Sequence, residues 1–225
     1  MKITYYGHGC VGINTLGKNL LFDPFISPNP LANHININEL NPDYILVTHG
    51  HEDHVADVEA IATRTNATII SNFEIVSWFG QKKLEGHPMN HGGKKEFEFG
   101  TVKMVNAIHS SVLPDGTYGG NPGGFVLSNQ EAIVYFAGDT ALHQDMKLIP
   151  EFYELDLAIL PIGDNFTMGI EEAVKAAGFV QCRRILGMHY DTFPYIVIDK
   201  EMALTSFREA GLELNLLEIG DSFEI

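Results

Sequence analysis

The sequence predicts an α/β protein in which two mixed β-sheets pack face to face and helices cover their outer surfaces. Three observations lead there. Short apolar strand-type runs alternate with segments of helical spacing, and each half of the chain opens on strands before the alternation begins. The 225 residues are 45% hydrophobic and 10% aromatic, enough to bury the core of one domain spanning residues 1–225.

In the first half, Lys2 to Tyr6, Val11 to Thr15 and Asn19 to Asp23 are β-type runs, and Leu16-Gly17-Lys18 turns the last two into a hairpin. A Pro- and Asn-rich loop follows from Pro24 to about Asn36. The apolar run Tyr44 to Thr48 then predicts a buried central strand. Val55, Val58 and Ala62 predict a helix to about Thr65, and Ala67 to Ser71 returns as a strand. A second helix is predicted over Phe73 to Gly80, and Gly86-His87-Pro88 and Asn90-His91-Gly92-Gly93 read as loop.

The second half predicts strands at Glu96 to Phe99, Thr101 to Ile108, Gly124 to Leu127 and Ala132 to Phe136. Helices are predicted over His143 to Tyr153, Gly169 to Gly178 and Lys200 to Ala210, with strands at Leu157 to Leu160, Arg184 to Gly187 and near Leu214 to Leu217. No short-period repeat or linker divides the chain.

Fourteen Lys and Arg against 29 Asp and Glu give a net charge of −15, which repels phosphate backbones and anionic lipid surfaces. A polymeric nucleic acid or a membrane is therefore not an expected partner; a small-molecule substrate is, with a homo-oligomer left open. Cys10 and Cys182 have no CxxC spacing and read as buried free thiols. No basic region followed by an apolar stretch opens the chain and no run approaches the ~18 apolar residues of a span, so a cytoplasmic location is expected.

The string Thr48-His49-Gly50-His51-Glu52-Asp53-His54 gathers three imidazoles and an aspartate at the end of the predicted central strand. Neutral imidazole and carboxylate suit Zn²⁺, with Fe and Mn as competitors, and a strand-end loop with a glycine can turn several side chains toward one point. The alternative, a solvated His-rich loop, would put three histidines beside a buried strand by accident. Downstream, His109 follows the strand Thr101 to Ile108, Asp139 follows the strand ending at Phe136, and His189 follows Arg184-Ile185-Leu186.

The string matches the HxHxDH motif, and with these landmarks the chain resembles the metallo-β-lactamase superfamily over essentially its whole length. The resemblance implies an αββα sandwich and two divalent metal ions. His49, His51 and His109 would bind the first, Asp53, His54 and His189 the second, and Asp139 would bridge them. Related diiron flavoproteins carry Glu at the position of His51, so histidine there points to zinc and hydrolysis. Within the superfamily, Tyr6-Gly7-His8, Leu21-Phe22-Asp23-Pro24, Met89 to Gly93 and Pro161 to Gly169 are similar to a branch of small metal-dependent hydrolases that includes the ascorbate 6-phosphate lactonase-like group.

Other residues carry open readings. Asp23 either hydrogen-bonds a metal-binding imidazole or is a turn aspartate before Pro24. His8, in Gly7-His8-Gly9, either faces the pocket as a catalytic group or is held within its loop. Asn165, Thr167 and the N–H groups of residues 163 to 169 either receive a substrate oxygen or cap a helix. His34, His87, His91 and His143 read as loop histidines.

Two zinc ions lower the pKa of a shared water and so supply a bridging hydroxide, with Asp53 receiving or relaying a proton. The expected reaction is hydrolysis of a small ester, lactone or amide. A small phosphodiester is the alternative on the same ions, and a diiron redox or gas-binding protein, or a non-catalytic metal-binding protein, is the alternative from another class. The Gly119 to Gly124 loop lacks the lysine and helix of a phosphate-binding loop.

Overall fold

The computed structural model describes residues 1–225 and consists of two seven-stranded sheets with helices on their outer faces. In the first sheet, β1 (Lys2–Gly7), β2 (Cys10–Thr15) and β3 (Lys18–Phe22) form an antiparallel meander. To β3 are added, in parallel, β4 (Tyr44–Leu46), β5 (Thr68–Asn72) and β6 (Gly86–Met89). Parallel neighbours need crossovers, and these contain α1 (Glu52–Val55), α2 (Val58–Thr65) and α3 (Phe73–Gln81).

The second sheet repeats the scheme. β7 (Lys94–Phe97), β8 (Gly100–Asn106), β9 (Gly123–Ser128) and β10 (Ile133–Phe136) run antiparallel. β11 (Leu157–Pro161), β12 (Arg184–Met188) and β13 (Glu213–Asn215) continue in parallel through α4 (Ile170–Phe179) and α5 (Lys200–Glu209). A last strand, β14 (Ser222–Glu224), returns to pair antiparallel with β1 of the first sheet.

Side-chain alternation explains the layers. In β3, Leu20 and Phe22 enter the core between the sheets while Leu21 joins the cluster under α2 and α3. In β11, Leu157 and Ile159 point between the sheets and Ala158 and Leu160 toward α4 and α5. Strands buried on both faces read as continuous apolar runs, which is how both segments stood out in the sequence.

Three elements differ from expectation. Gly86-His87-Pro88 lies in a strand, not a loop: β6 is the edge of its sheet, where a proline without an N–H costs no ladder bond. The expected helix over His143 to Tyr153 is a short 3₁₀ turn, Gln144–Leu148, with Pro150 closing the segment to helical hydrogen bonding. β14 is too short to show a period and exists because β1 offers it an open edge. The two cysteines are free and buried, as expected.

The sheets meet through Phe22 of β3 and Phe136 of β10, whose rings stack at 4.7 Å and are each 1% exposed. Phe136→Ala is expected to lower unfolding free energy by about 3–5 kcal/mol through lost burial and the cavity left behind. Urea unfolding of the two proteins measures this, and a difference below about 1 kcal/mol would show that the packing here is not what joins the sheets.

Candidate metal centre

Every predicted ligand leaves a strand end. β4 runs out through Val47 and Thr48 into His49, Gly50 and His51, and α1 then presents Asp53 and His54 on consecutive positions. Gly50 sits in close approach: a Cβ there would lie 3.1 Å from Leu113 Cγ, and its N–H donates to Ser111 Oγ at 3.0 Å. The motif loop is thereby pressed onto the segment that carries His109. From the second sheet, His109 follows β8, Asp139 follows β10 and His189 follows β12.

The packed sheets bring these ends into two adjoining groups. The ligand atoms of His49, His51 and His109 lie within 4.8 Å of one another, as do those of Asp53, His54, His189 and His8. Asp139 stands between the groups, its Oδ2 at 2.9 Å from His189 Nε2, 3.4 Å from His54 Nε2 and 3.6 Å from His109 Nε2.

Neighbouring side chains fix which ring nitrogen each histidine offers. Asp23, fully buried, accepts from Thr48 N–H (2.8 Å) at Oδ1. Its Oδ2 accepts from Thr48 Oγ1–H (2.6 Å) and His54 Nδ1–H (2.9 Å). Because the Thr48 hydroxyl spends its proton on Asp23, it accepts from His49 Nδ1–H at 3.0 Å. His49 and His54 therefore both present an unprotonated Nε2 to the centre when neutral. Ser110 Oγ lies 3.2 Å from His51 Nε2, which leaves Nδ1 of that ring facing His49 Nε2 at 3.0 Å.

The charges match a cation. Burial, with neighbouring His54, holds His49 well below the usual histidine range, so its ring is neutral. Burial would raise Asp139, but His189 and His54 beside it hold the carboxyl well below the usual range. His189 is pushed down by burial and more strongly up by Asp139 and Asp53, to about 9. His54 Nε2 and Asp139 Oδ1 are buried without a hydrogen-bond partner, and His189 Nε2 has Asp139 Oδ2 beside it at 2.9 Å. Buried polar atoms are seldom left so, and lone pairs of imidazole and carboxylate converging without a donor are the donor set of divalent metal ions.

His8 bonds residues outside its own loop. Its ring is 1% exposed, edge-on to Phe25 and Phe193 and 4.0 Å between centroids from His189. Nε2 lies 3.0 Å from Asp53 Oδ2 and Nδ1 3.0 Å from Thr192 Oγ1. A carboxylate requires a donor, so Nε2–H donates to Asp53 and Nδ1 accepts from the Thr192 hydroxyl. Burial and the nearby His189 push His8 down to about 4, leaving it neutral at pH 7.

A cavity of about 760 Å³ opens over the centre and is walled by His51, Asp53, His109, Asp139 and His189 together with aromatic side chains. Neither Asn165 nor Thr167 lines it; Phe166, between them, does. The N–H groups of Asp164, Phe166, Thr167 and Met168 are already donated to Met168, Asp164, Asp164 and Thr140 carbonyls. That loop thus lines the cavity with the Phe166 ring, and those four N–H groups are committed within the chain. His34 and His91 are committed to the carbonyls of Ile219 and Pro122, and His87 and His143 also stay outside the cluster. Thr48, Ser110 and Thr192 escaped the sequence reading because a hydroxyl that orients a ligand looks like any other; the Phe193-Pro194-Tyr195 run close behind His189 was a usable signal for the wall.

The family model of the β-lactamase superfamily domain matches residues 2–189. The chain belongs to the metallo-β-lactamase superfamily. Over its full length it is 57% identical to a metal-dependent hydrolase of Flavobacterium johnsoniae and, over 230 aligned residues, 42% identical to the metal-dependent hydrolase YtkL of Bacillus subtilis, covering 100% of each. Among solved structures it is similar to Igni18, a metallo hydrolase from Ignicoccus hospitalis, with a TM-score of 0.90 and 33% identity over 100% of this chain and 98% of that one. The two sheets and outer helices are the αββα sandwich of this superfamily. No helix is long and apolar enough to cross a membrane.

In a metallo-β-lactamase centre built this way, Asp23 controls ligand orientation. Asp23→Asn keeps the size but replaces an acceptor with an NH₂ group facing His54 or Thr48. The expected result is a 10–100-fold loss of divalent-metal affinity, read by competition with a chromogenic chelator. Unchanged affinity would show that His54 is held by packing alone.

Proposed function

We propose that this metal-dependent hydrolase works with two zinc ions on a small-molecule ester, lactone or amide. The observation that carries the reading is the pair of adjoining ligand groups with Asp139 in reach of both. His49, His51 and His109 would hold one ion; Asp53, His54 and His189 the other; Asp139 would bridge them. A donor set of imidazole and carboxylate without thiolate suits zinc, with manganese or iron as the competitors a metal analysis would reveal. Two ions held there would supply an activated water as nucleophile at neutral pH and Lewis-acid polarisation of the scissile carbonyl, so no serine or cysteine nucleophile would be required.

The side chains around this chemistry have separable tasks. Asp139 and Asp53 hold negative charge at fixed points; His49 is neutral, and His54 and His189, pushed up against burial by those carboxylates, would give up a proton when a cation binds. Asp53 commits Oδ2 to His8, and its Oδ1, without a hydrogen-bond partner in the chain, is the atom that takes the proton released on attack and passes it to the leaving group. His8 acts through Asp53: a buried neutral ring with both nitrogens engaged holds the carboxylate in one orientation. The catalytic assignment of Asp53 and His8 is thus one unit, acid–base at Asp53 and positioning at His8.

Protein reconstituted with excess zinc and desalted is expected to retain two ions per chain by elemental analysis. Asp139→Asn should retain fewer and lose nearly all hydrolysis of the best substrate in a panel of esters, lactones, amides and phosphodiesters. One tightly held ion in the wild type, or a near-normal rate in the variant, would contradict the dinuclear reading. For His8→Ala, both ions are expected to stay while kcat/KM falls about 10–100-fold. Metal analysis and a thermal melt run beside the kinetics separate this from unfolding; loss of an ion would make His8 a ligand, and an unchanged rate would make it scaffold.

A further inference from the structure

The wall of the cavity constrains what can sit over the metal centre. Phe25 and Phe193 form its inner part, with ring centroids 6.1 Å apart. Phe166 and Tyr195 stand at the mouth, edge to face at 6.2 Å, and are 49% and 73% exposed. Exposed aromatic rings that meet across a mouth are unexplained by packing, since the core does not need them. The four come from three separate loops, after β3, β11 and β12, so their convergence is a property of the site and not of one segment.

Charge points the same way. No lysine or arginine lines the cavity, and the one charged residue outside the ligand set, Glu52, is acidic and exposed. The carboxylates of Asp53, Asp139 and Asp23 already answer most of the charge of two divalent ions, and the chain as a whole carries −15. A phosphate or carboxylate on the substrate's body would meet aromatic edges and a carboxylate, with no guanidinium or ammonium to replace its lost water.

We propose that the site selects an uncharged substrate whose acyl portion carries an aromatic or comparably bulky apolar group, held between the inner pair Phe25 and Phe193 and the mouth pair Phe166 and Tyr195. The inference rests on the hydrolase reading above and names its substrate class. Ring-on-ring contact and removal of apolar surface from water supply the affinity for the acyl group, and the missing cation supplies the discrimination against anionic analogues.

Three hydroxamates that share the same metal-anchoring head test it by isothermal titration calorimetry on zinc-loaded protein: acetohydroxamate, 3-phenylpropanohydroxamate and the monohydroxamate of succinic acid. The phenyl compound is expected to bind at least about tenfold more tightly than acetohydroxamate, and the succinyl compound no more tightly than acetohydroxamate. Phe166→Ala/Tyr195→Ala, at two exposed positions, should remove most of the phenyl advantage while leaving acetohydroxamate affinity and zinc content unchanged. Tyr195→Lys should raise affinity for the succinyl compound alone. Equal binding of the three by wild type, or a phenyl advantage that survives the double variant, overturns the proposed substrate class while leaving the metal centre standing. If none of the three binds, the metal reading itself has failed, and the substrate class falls with it.

Discussion

The buried carboxylate of Asp23 is the interaction on which the centre depends. A carboxylate taken fully out of water is costly unless every lone pair in reach is answered. Asp23 meets that requirement with three donors: the Thr48 amide, the Thr48 hydroxyl and the His54 ring. The same bonds fix the tautomer of His54 directly and that of His49 through the Thr48 hydroxyl. One ligand of each metal group is thus oriented by one oxygen atom, Oδ2, placed at the end of β3 beside the end of β4 where Phe22 is in register with Leu46. Burial holds the Asp23 carboxyl above the usual range, and His54 and Thr48 pull it only part of the way back, so the buried charge depends on those partners staying in place.

Neither sheet holds a complete site. The first contributes His49, His51, Asp53 and His54 from one crossover, and the second contributes His109, Asp139 and His189 from three different strand ends. Stability and function therefore share a cause: the stacked Phe22 and Phe136 that join the sheets also bring Asp139 to within 3.4 Å of His54. Parallel strands make this possible, because their carboxyl ends lie at one edge of the sheet and the loops that leave them converge.

How much of this was legible in the sequence follows from what each residue has to do. The clustering of His49, His51, Asp53, His54, His109, Asp139 and His189 was legible because histidine and aspartate recur where strands are expected to end, and the fold brings those ends together. The long strands were legible because burial on both faces writes an apolar run. β6 was hidden by Gly86 and Pro88, which signal a loop unless the strand is known to lie at an edge, and that is a tertiary fact. The segment after His143 has helical spacing at Met146 and Ile149, but Pro150 limits what that spacing can build. In the loop before α4 the polar residues Asn165 and Thr167 drew attention, whereas the cavity is lined by the intervening Phe166; sequence alone does not say which side chain of a loop turns inward.

Three residues at the centre hold a strained backbone. His8, Asp23 and His189 have φ of 54°, 43° and 58°, a left-handed conformation that costs a non-glycine residue about 1–3 kcal/mol. Such a conformation persists only where surrounding bonds over-determine it, and here they do. The His189 N–H donates to the His8 carbonyl at 2.9 Å, locking two of the strained residues to each other. The Asp23 N–H donates to Leu46 at 3.0 Å while its side chain is held by Thr48 and His54. Gly9 completes the arrangement, since a Cβ there would lie 2.9 Å from the His54 ring. These three strained residues each stand directly after a strand, at the ends of β1, β3 and β12, and present an imidazole or a carboxylate from there. The loops after β3 and β12 thus do two things at once: their first residues, Asp23 and His189, are fixed at the centre, and further along the same loops Phe25, Phe193 and Tyr195 wall the cavity above it.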